Sequence, residues 1–340
     1  MDIEEKKTWQ VAAMNKPNLF SFATSELSQD AFICWLLSWA SPEYKNTDKD
    51  LHQCALNFVQ ALFEKHSRVP PSEIEKVEIF KQDNHIDVLC VINGIYAILI
   101  EDKTGTKNHS NQLDRYLENV KKRNFEEVNV FPIYLKTEDQ GNYSDVLNAG
   151  YKLYLRSDFL RTLKTHSGNN AILIDYRDYL QSISDEVESY KLLPIEKWGW
   201  YSWVGFYLRL QKELATGNWD YVPNPSGGFL GFWLYSQGDE ECEQYLQLEE
   251  DKFCFKIWVN KVDDRSKLRD KWYKIIKARG SEYDLKLIKP ARFGNGEYMT
   301  VCIHDGEYRV FDINRVVDIE KTVQRIRKAE TLLEAVNASA

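Results

Sequence analysis

Residues 86–103 read Ile86-Asp87-Val88-Leu89-Cys90-Val91-Ile92-Asn93-Gly94-Ile95-Tyr96-Ala97-Ile98-Leu99-Ile100-Glu101-Asp102-Lys103. Two apolar runs of strand length flank Asn93-Gly94, a dipeptide that signals a tight hairpin turn. Asp87 sits at the start of the first run, and Glu101, Asp102 and Lys103 close the second. A carboxylate inside an apolar strand is costly unless it is paired or holds a metal. Side chains alternate along a strand, so Glu101 and Lys103 share one face and Asp102 points away.

Whether Asp87 joins Glu101 and Lys103 depends on the turn. A two-residue loop at Asn93-Gly94 pairs Asp87 with Ile100 and sends Glu101 to the other face. A three-residue loop, Ile92-Asn93-Gly94, with Gly94 left-handed in a bulge, pairs Asp87 with Leu99 and brings the three charges to one face. We expect the bulged turn.

Working outward, Ile74–Phe80 reads as a strand before the hairpin. A polar loop, Thr104–His109, leads to a helix from about Ser110 to Arg123. Val128–Lys136 is then a fourth strand, buried by composition, and Lys152–Leu155 a fifth. Upstream, Ser28-Gln29-Asp30 resembles a helix start, and Leu51–Lys65 forms a second helix ended by Val69-Pro70-Pro71. Helices near Ser157–Thr165 and Tyr176–Tyr190 follow the fifth strand. This order implies an α/β fold, a mixed central sheet flanked by helices, over residues 1–192. After Leu193-Pro194 the character changes, and residues 193–340 read as a smaller, aromatic-rich α+β domain. Its expected elements are strands at Tyr245–Glu249, Phe253–Val259, Leu285–Lys289, Tyr298–His304 and Tyr308–Phe311, with helices at Asp264–Lys277 and Arg315–Val336.

Asp-x(13)-Glu-Asp-Lys on adjacent strands resembles the core of the PD-(D/E)XK nuclease superfamily, without the proline of the first motif. The helix after it carries Gln112-Leu113-Asp114-Arg115-Tyr116, similar to the Gln-x-x-x-Tyr signature of the RecB-like branch. Glu26-Leu27-Ser28-Gln29-Asp30-Ala31-Phe32 and Trp35-Leu36-Leu37 look like the opening helix of prokaryotic PD-(D/E)XK families. The resemblance runs from about Phe20 to Lys136. It implies a restriction-endonuclease-like core and Mg2+- or Mn2+-dependent hydrolysis of phosphodiester bonds, most readily in DNA, with bacterial origin and a role in defence against foreign DNA. It assigns catalysis to Asp87, Glu101, Lys103, Gln112 and Tyr116. Metal ligation falls to Asp87, Glu101, the Asp102 carbonyl and Glu26, with Asp30 a substitute for Glu26. Lys103 would orient or deprotonate the attacking water, or offset charge on phosphorus.

Plainer readings stand beside these. Asp87, Glu101 and Lys103 can form a structural ion pair at a sheet edge, and Gln112 and Tyr116 can belong to an ordinary amphipathic helix. His85, next to the motif, can contact phosphate or metal, or simply end a strand. A non-catalytic nucleic-acid-binding or partner-gated regulatory protein on the same fold is the competing function, with a protein or small ligand at the C-terminal half.

The rest of the composition narrows the field. The six cysteines form no CxxC pair, which argues against zinc ribbons and thiol redox motifs and for reduced, cytoplasmic thiols. No apolar stretch approaches the roughly 20 residues of a membrane span. Gly227-Gly228-Phe229-Leu230-Gly231 lacks the Lys-Ser/Thr of a phosphate loop. The net charge of −8 argues against a protein coated in basic surface, so nucleic acid must be met by a local basic groove or through metal. The aromatic run Trp198, Trp200, Tyr201, Trp203, Phe206 and Tyr207 reads first as packing between domains and only second as base stacking. The basic stretch Lys261–Lys277 reads first as a solvated helix face and only second as a track for a phosphate backbone.

Overall fold

Ser25 starts the first helix. Its side chain accepts the Ser28 N–H, so α1 (Glu26–Ser38) begins earlier than Ser28-Gln29-Asp30 suggested and takes in Glu26 at its first position. Asp48 caps α2 (Lys49–Lys65) in the same way, through the Leu51 N–H. The computed structural model describes residues 16–108, 111–224 and 227–338. By packing, the chain divides into two units, one of residues 16–139 and 143–185, the other of 186–338 with 140–142.

The first unit is built on a five-stranded mixed sheet in the order β1-β2-β3-β4-β5. β1 (Val77–Asp83), β2 (Ile86–Ile92) and β3 (Tyr96–Lys103) form an antiparallel meander, and β4 (Val130–Lys136) and β5 (Lys152–Leu155) add in parallel. A parallel neighbour needs a crossover, supplied between β3 and β4 by α3 (Gln112–Lys121). The helix was expected to begin at Ser110, which lies outside the described residues. α4 (Ser144–Asn148), α5 (Arg156–Leu163) and α6 (Ala171–Glu188) complete the flanking layers. The sheet is thus mixed and flanked by helices, as the element order implied.

The hairpin between β2 and β3 decides what the sheet presents. Asn93 and Gly94 both have positive φ, 55° and 68°, and the Ile95 N–H donates to the Ile92 carbonyl at 3.0 Å. That is the two-residue turn Asn-Gly favours. The ladder, however, pairs Ile92 with Tyr96, leaving Ile95 as an extra, half-exposed residue. The expected pairing of Asp87 with Leu99 is therefore wrong: Leu99 faces Leu89, and the same register carried on puts Asp87 opposite Glu101. The two registers differ by two residues, which preserves the face of every side chain. Asp87, Glu101 and Lys103 share one face, brought there by a bulge at Ile95.

The second unit is a six-stranded antiparallel sheet, β10-β11-β9-β8-β7-β6. In chain order it comprises α7 (Trp200–Leu214), β6 (Asn218–Val222), β7 (Phe229–Gly238), β8 (Cys242–Leu248), β9 (Phe253–Val259), α8 (Arg265–Arg279), β10 (Leu287–Ile288), β11 (Tyr298–His304) and α9 (Ile319–Asn337). Tyr308–Phe311 is not a strand; only an isolated bridge joins Phe311 to Val317. Phe206 and Tyr207 are fully buried in this unit's own core, with Trp198, Trp200 and Trp203 packed against it, so those aromatics are taken up within the unit. All six cysteines are free thiols. Among the described residues no helix is long and apolar enough to cross a membrane.

The β2–β3 turn is also tied to the chain before β1. Asn93 Oδ1 accepts the Glu75 and Lys76 N–H groups, and Asn93 Nδ2 donates to the Glu73 carbonyl. Asn93→Ala loses these bonds and places alanine at positive φ, so it should cost about 2 kcal/mol. Asn93→Gly, which relieves the backbone, should cost about half as much. Urea denaturation checks this as a lower midpoint with an unchanged slope.

Candidate active site

β3 ends in three fully or almost fully buried charged residues, Glu101 and Asp102 at 0% exposure and Lys103 at 5%. The strand's alternation divides them. Lys103 Nζ lies 2.6 Å from Glu101 Oε1, 3.6 Å from Asp87 Oδ2 and 3.7 Å from Glu26 Oε2, and donates to the Asp102 carbonyl at 2.9 Å. Gln112, the first residue of α3, donates from Nε2 to Glu101 Oε1 at 2.7 Å and lies 3.1 Å from the Tyr116 hydroxyl one turn on. The five residues named for catalysis therefore meet at one place. Glu26 reaches it from the start of α1, where its Oε1 accepts the Thr104 N–H and the Thr106 hydroxyl.

Burial sets the electrostatics. Desolvation pushes the Glu101 carboxyl up to about 7, against the pull of the Lys103 ammonium, and the nearby Asp87 charge adds to the rise. Burial works to lower Lys103 as well, but Glu101 and Asp87 outweigh it and hold the amine above the ordinary lysine range. Lys103 is therefore an ammonium at neutral pH, suited to offsetting negative charge and poorly suited to accepting a proton.

Asp102 faces the other way. Gln29 Nε2 donates to Asp102 Oδ1 at 2.6 Å, and Gln29 Oε1 accepts the Thr137 and Tyr176 hydroxyls, each at 2.8 Å. The Asp102 N–H returns to the first face, donating to Asp87 Oδ2 at 2.9 Å. Asp30, at 1% exposure, belongs to this layer rather than beside Glu26. Burial, then the Asp87 charge, raises its carboxyl to about 6, and burial, then the Asp30 charge, holds Asp102 well above the carboxylate range. Asp30 Oδ1 and Asp102 Oδ2 are both buried without another partner, and a proton on Asp102 shared with Asp30 satisfies both.

Three residues that the sequence reading did not single out join the cluster. Gln82, with φ of 53°, donates to Asp30 Oδ2 at 2.9 Å and Asp87 Oδ1 at 3.2 Å, linking the two layers. Gln29 anchors Asp102. Lys136, beside Lys103 across the parallel ladder and 2% exposed, donates to the Thr104 and Thr106 carbonyls. Burial lowers its amine to about 8. A lysine closing an apolar strand was a readable signal for Lys136; nothing local marks either glutamine. His85 is exposed in the Asn84-His85 turn, with φ of 69°, and joins none of these bonds.

The donors suit a hard divalent cation. Carboxylate oxygens are its preferred ligands, and Mg2+ commonly takes one or two of them and leaves its other positions to water and phosphate. Glu101 Oε2 is buried, receives no hydrogen bond among the described residues, and stands against the Asp87 carboxylate, so two acids face one place. Among the described residues no three His, Cys, Asp or Glu side chains converge to cage an ion by themselves. The Asp102 carbonyl is occupied by Lys103 Nζ.

Gln29→Leu strands the Asp102 carboxyl and the Thr137 and Tyr176 hydroxyls, and should destabilise the fold by about 3 kcal/mol or more. Chemical denaturation of the metal-free protein measures it, and a loss under about 1 kcal/mol would show that this polar layer is not a support.

No curated protein and no solved structure matches the chain. A model of the PD-(D/E)XK nuclease superfamily matches residues 17–195, over half of the length, and that span contains every residue of the cluster. With Asp87, Glu101 and Lys103 on one face of a mixed sheet, the chain belongs to the PD-(D/E)XK nuclease superfamily.

Proposed function

We propose that this chain is a Mg2+- or Mn2+-dependent nuclease that hydrolyses phosphodiester bonds in DNA. The observation that carries the reading is the Lys103 ammonium, held 2.6 Å from Glu101 and 3.6 Å from Asp87 at a buried strand end. When bound, the ion supplies Lewis acidity toward a phosphate and lowers the pKa of water. Asp87 and Glu101 offer the oxygens that hold it, with Glu26 within reach of the same lysine. Gln112 fixes the orientation of Glu101, and the Tyr116 hydroxyl steadies Gln112. Lys103, kept cationic, faces the charge that builds on the phosphate oxygens as water adds to phosphorus and the leaving oxygen departs. That makes charge compensation, rather than deprotonation of water, its part in the reaction.

The Gln112–Tyr116 pair supports placement in the RecB-like branch. We also read the chain as two domains meeting near residue 192, acting in the cytoplasm, in defence against foreign DNA. A partner-gated enzyme is the second reading, favoured by one observation. Lys103 already neutralises Glu101, so an ion must compete with it, and a protein or ligand bound by the C-terminal half would tip that balance.

Supercoiled plasmid, linear duplex and single-stranded DNA, each with and without Mg2+ or Mn2+, test the proposal. Metal-dependent cleavage is expected, falling about 10^2- to 10^3-fold in Lys103→Ala. Cleavage that survives that substitution would place the active site elsewhere.

A second expectation concerns pH. Glu101 titrates near 7 in the metal-free fold, above its ordinary 4.5, so the folded state holds the extra proton. Its contribution to stability is present below pH 4.5 and lost as pH rises through 7. An ion must displace that proton, so its affinity should fall about tenfold per pH unit below 7. The rise in Tm on adding Mg2+ should grow from pH 6 to pH 8 and vanish in Glu101→Gln; equal shifts at both pH values would remove Glu101 from the ligand set.

A further inference from the structure

Charge is unevenly distributed along the chain. Residues 265–292 contain ten Lys and Arg against three Asp and Glu, in a protein whose net charge is −8. α8 seats Trp272 and Ile276 in the core of the second unit, with Leu268, Tyr273 and Ile275 at its margin. At 100° per residue, the face turned away from that core carries Lys267, Lys271 and Lys274, spaced i, i+4, i+7. All three are exposed, and among the described residues none forms an ion pair.

Other basic residues of the helix are committed to structure. Arg265 donates to the Val259 carbonyl, Lys277 to the Leu287 carbonyl, and Arg279 to Glu282 and the Ala335 carbonyl. Lys267 and Lys274 are not, and Lys271 makes only a cation–π contact, its Nζ 5.5 Å from the centre of the Trp272 ring. Like charges one turn apart oppose helix formation, and acids at the intervening positions would be the ordinary remedy. The sole acid of α8, Asp270, is bonded by Arg269. Seven residues of helix span about 10 Å, the length over which one strand of a duplex presents about three phosphates.

The loop between β10 and β11 adds an aromatic to this charge. Lys289 Nζ lies 4.4 Å and Arg269 Cζ 4.8 Å from the centre of the Phe293 ring, and Tyr273 meets that ring edge-on at 5.4 Å. Arg269 Nη1 also donates to the Gly294 carbonyl at 2.9 Å, fixing the loop to α8. A cationic track beside a partly exposed ring steadied by cations is the pairing that single-stranded nucleic acid binding uses.

We propose that this face of the second unit is a nucleic-acid-binding surface, with Lys267, Lys271 and Lys274 on phosphates and Phe293 offered to an unpaired base. Phosphate contacts of this kind track the backbone and carry no sequence information. The binding requires neither metal nor Lys103, and so stands apart from the catalytic reading.

The test uses the full chain carrying Lys103→Ala, in EDTA, with fluorescein-labelled 20-mer single-stranded and duplex oligonucleotides, followed by anisotropy between 50 and 250 mM KCl. Binding is expected, tighter for the single strand. The triple change Lys267→Ala, Lys271→Ala, Lys274→Ala should weaken it more than tenfold at low salt. It should also lower the slope of log K against log salt by about 2 to 3. Phe293→Ala should weaken single-strand binding several-fold and leave the slope unchanged. The arginine counterpart, Lys267→Arg, Lys271→Arg, Lys274→Arg, keeps the charge and should keep the binding. Circular dichroism should show both triple variants folded, since alanine and arginine favour exposed helix positions. Equal affinity and slope in the alanine variant would overturn the proposal, as would a full chain that binds no oligonucleotide. Capture of anionic lipid vesicles in place of oligonucleotides, lost in the alanine variant, would also overturn it by assigning the stripe to a membrane surface.

Discussion

The site rests on one costly arrangement: an ammonium and a carboxylate taken out of water together at the end of β3. Neither Lys103 nor Glu101 is stable there alone. Removing charge from water costs several kcal/mol per ion, and attraction between the two repays it only when geometry and further hydrogen bonds are good. The surroundings meet that demand. Gln112 donates to the Glu101 oxygen that Lys103 already contacts, the Asp102 carbonyl accepts a hydrogen bond from the ammonium, and Asp87 and Glu26 surround it with negative charge. Glu101 nevertheless titrates near 7, so the pair is held in tension rather than at rest. Two acids that share a single fixed ammonium carry negative charge that a further cation would relieve.

The reverse face of the same strand carries a second polar layer. Asp102, Asp30, Gln29, Thr137 and Tyr176 form a bonded set under α1. Two links cross the sheet, the Asp102 N–H to Asp87 and Gln82 between Asp30 and Asp87. A carboxylate placed as Asp87 is cannot move without disturbing the layer behind it. Gln82 takes a left-handed backbone to reach both acids, a local strain of the kind that collects at functional sites. Lys136 plays a comparable part at the rim, fastening the loop whose threonines hold Glu26.

The net charge of −8 is compatible with a polyanionic substrate because charge acts locally. In the first unit the acids Glu26, Asp87 and Glu101 are gathered round Lys103. In the second the unpaired lysines are gathered on α8.

The succession of strands along the chain, the face shared by Glu101 and Lys103, and the helix carrying Gln112 and Tyr116 followed from local rules. Alternation is a property of any strand, an Asn-Gly turn declares itself, and a parallel neighbour demands a crossover helix. Asp87 was assigned to the correct face through a register that was off by two residues, because turn chemistry limits the loop but does not choose which residue bulges. The Tyr308–Phe311 segment, apolar enough for a strand, found no partner beyond one bridge. Most elements, and the chemistry at their ends, were written in the order of residues. How Gln29, Gln82 and Lys136 close around them was not, because burial, partner and titration depend on atoms that lie far apart along the chain.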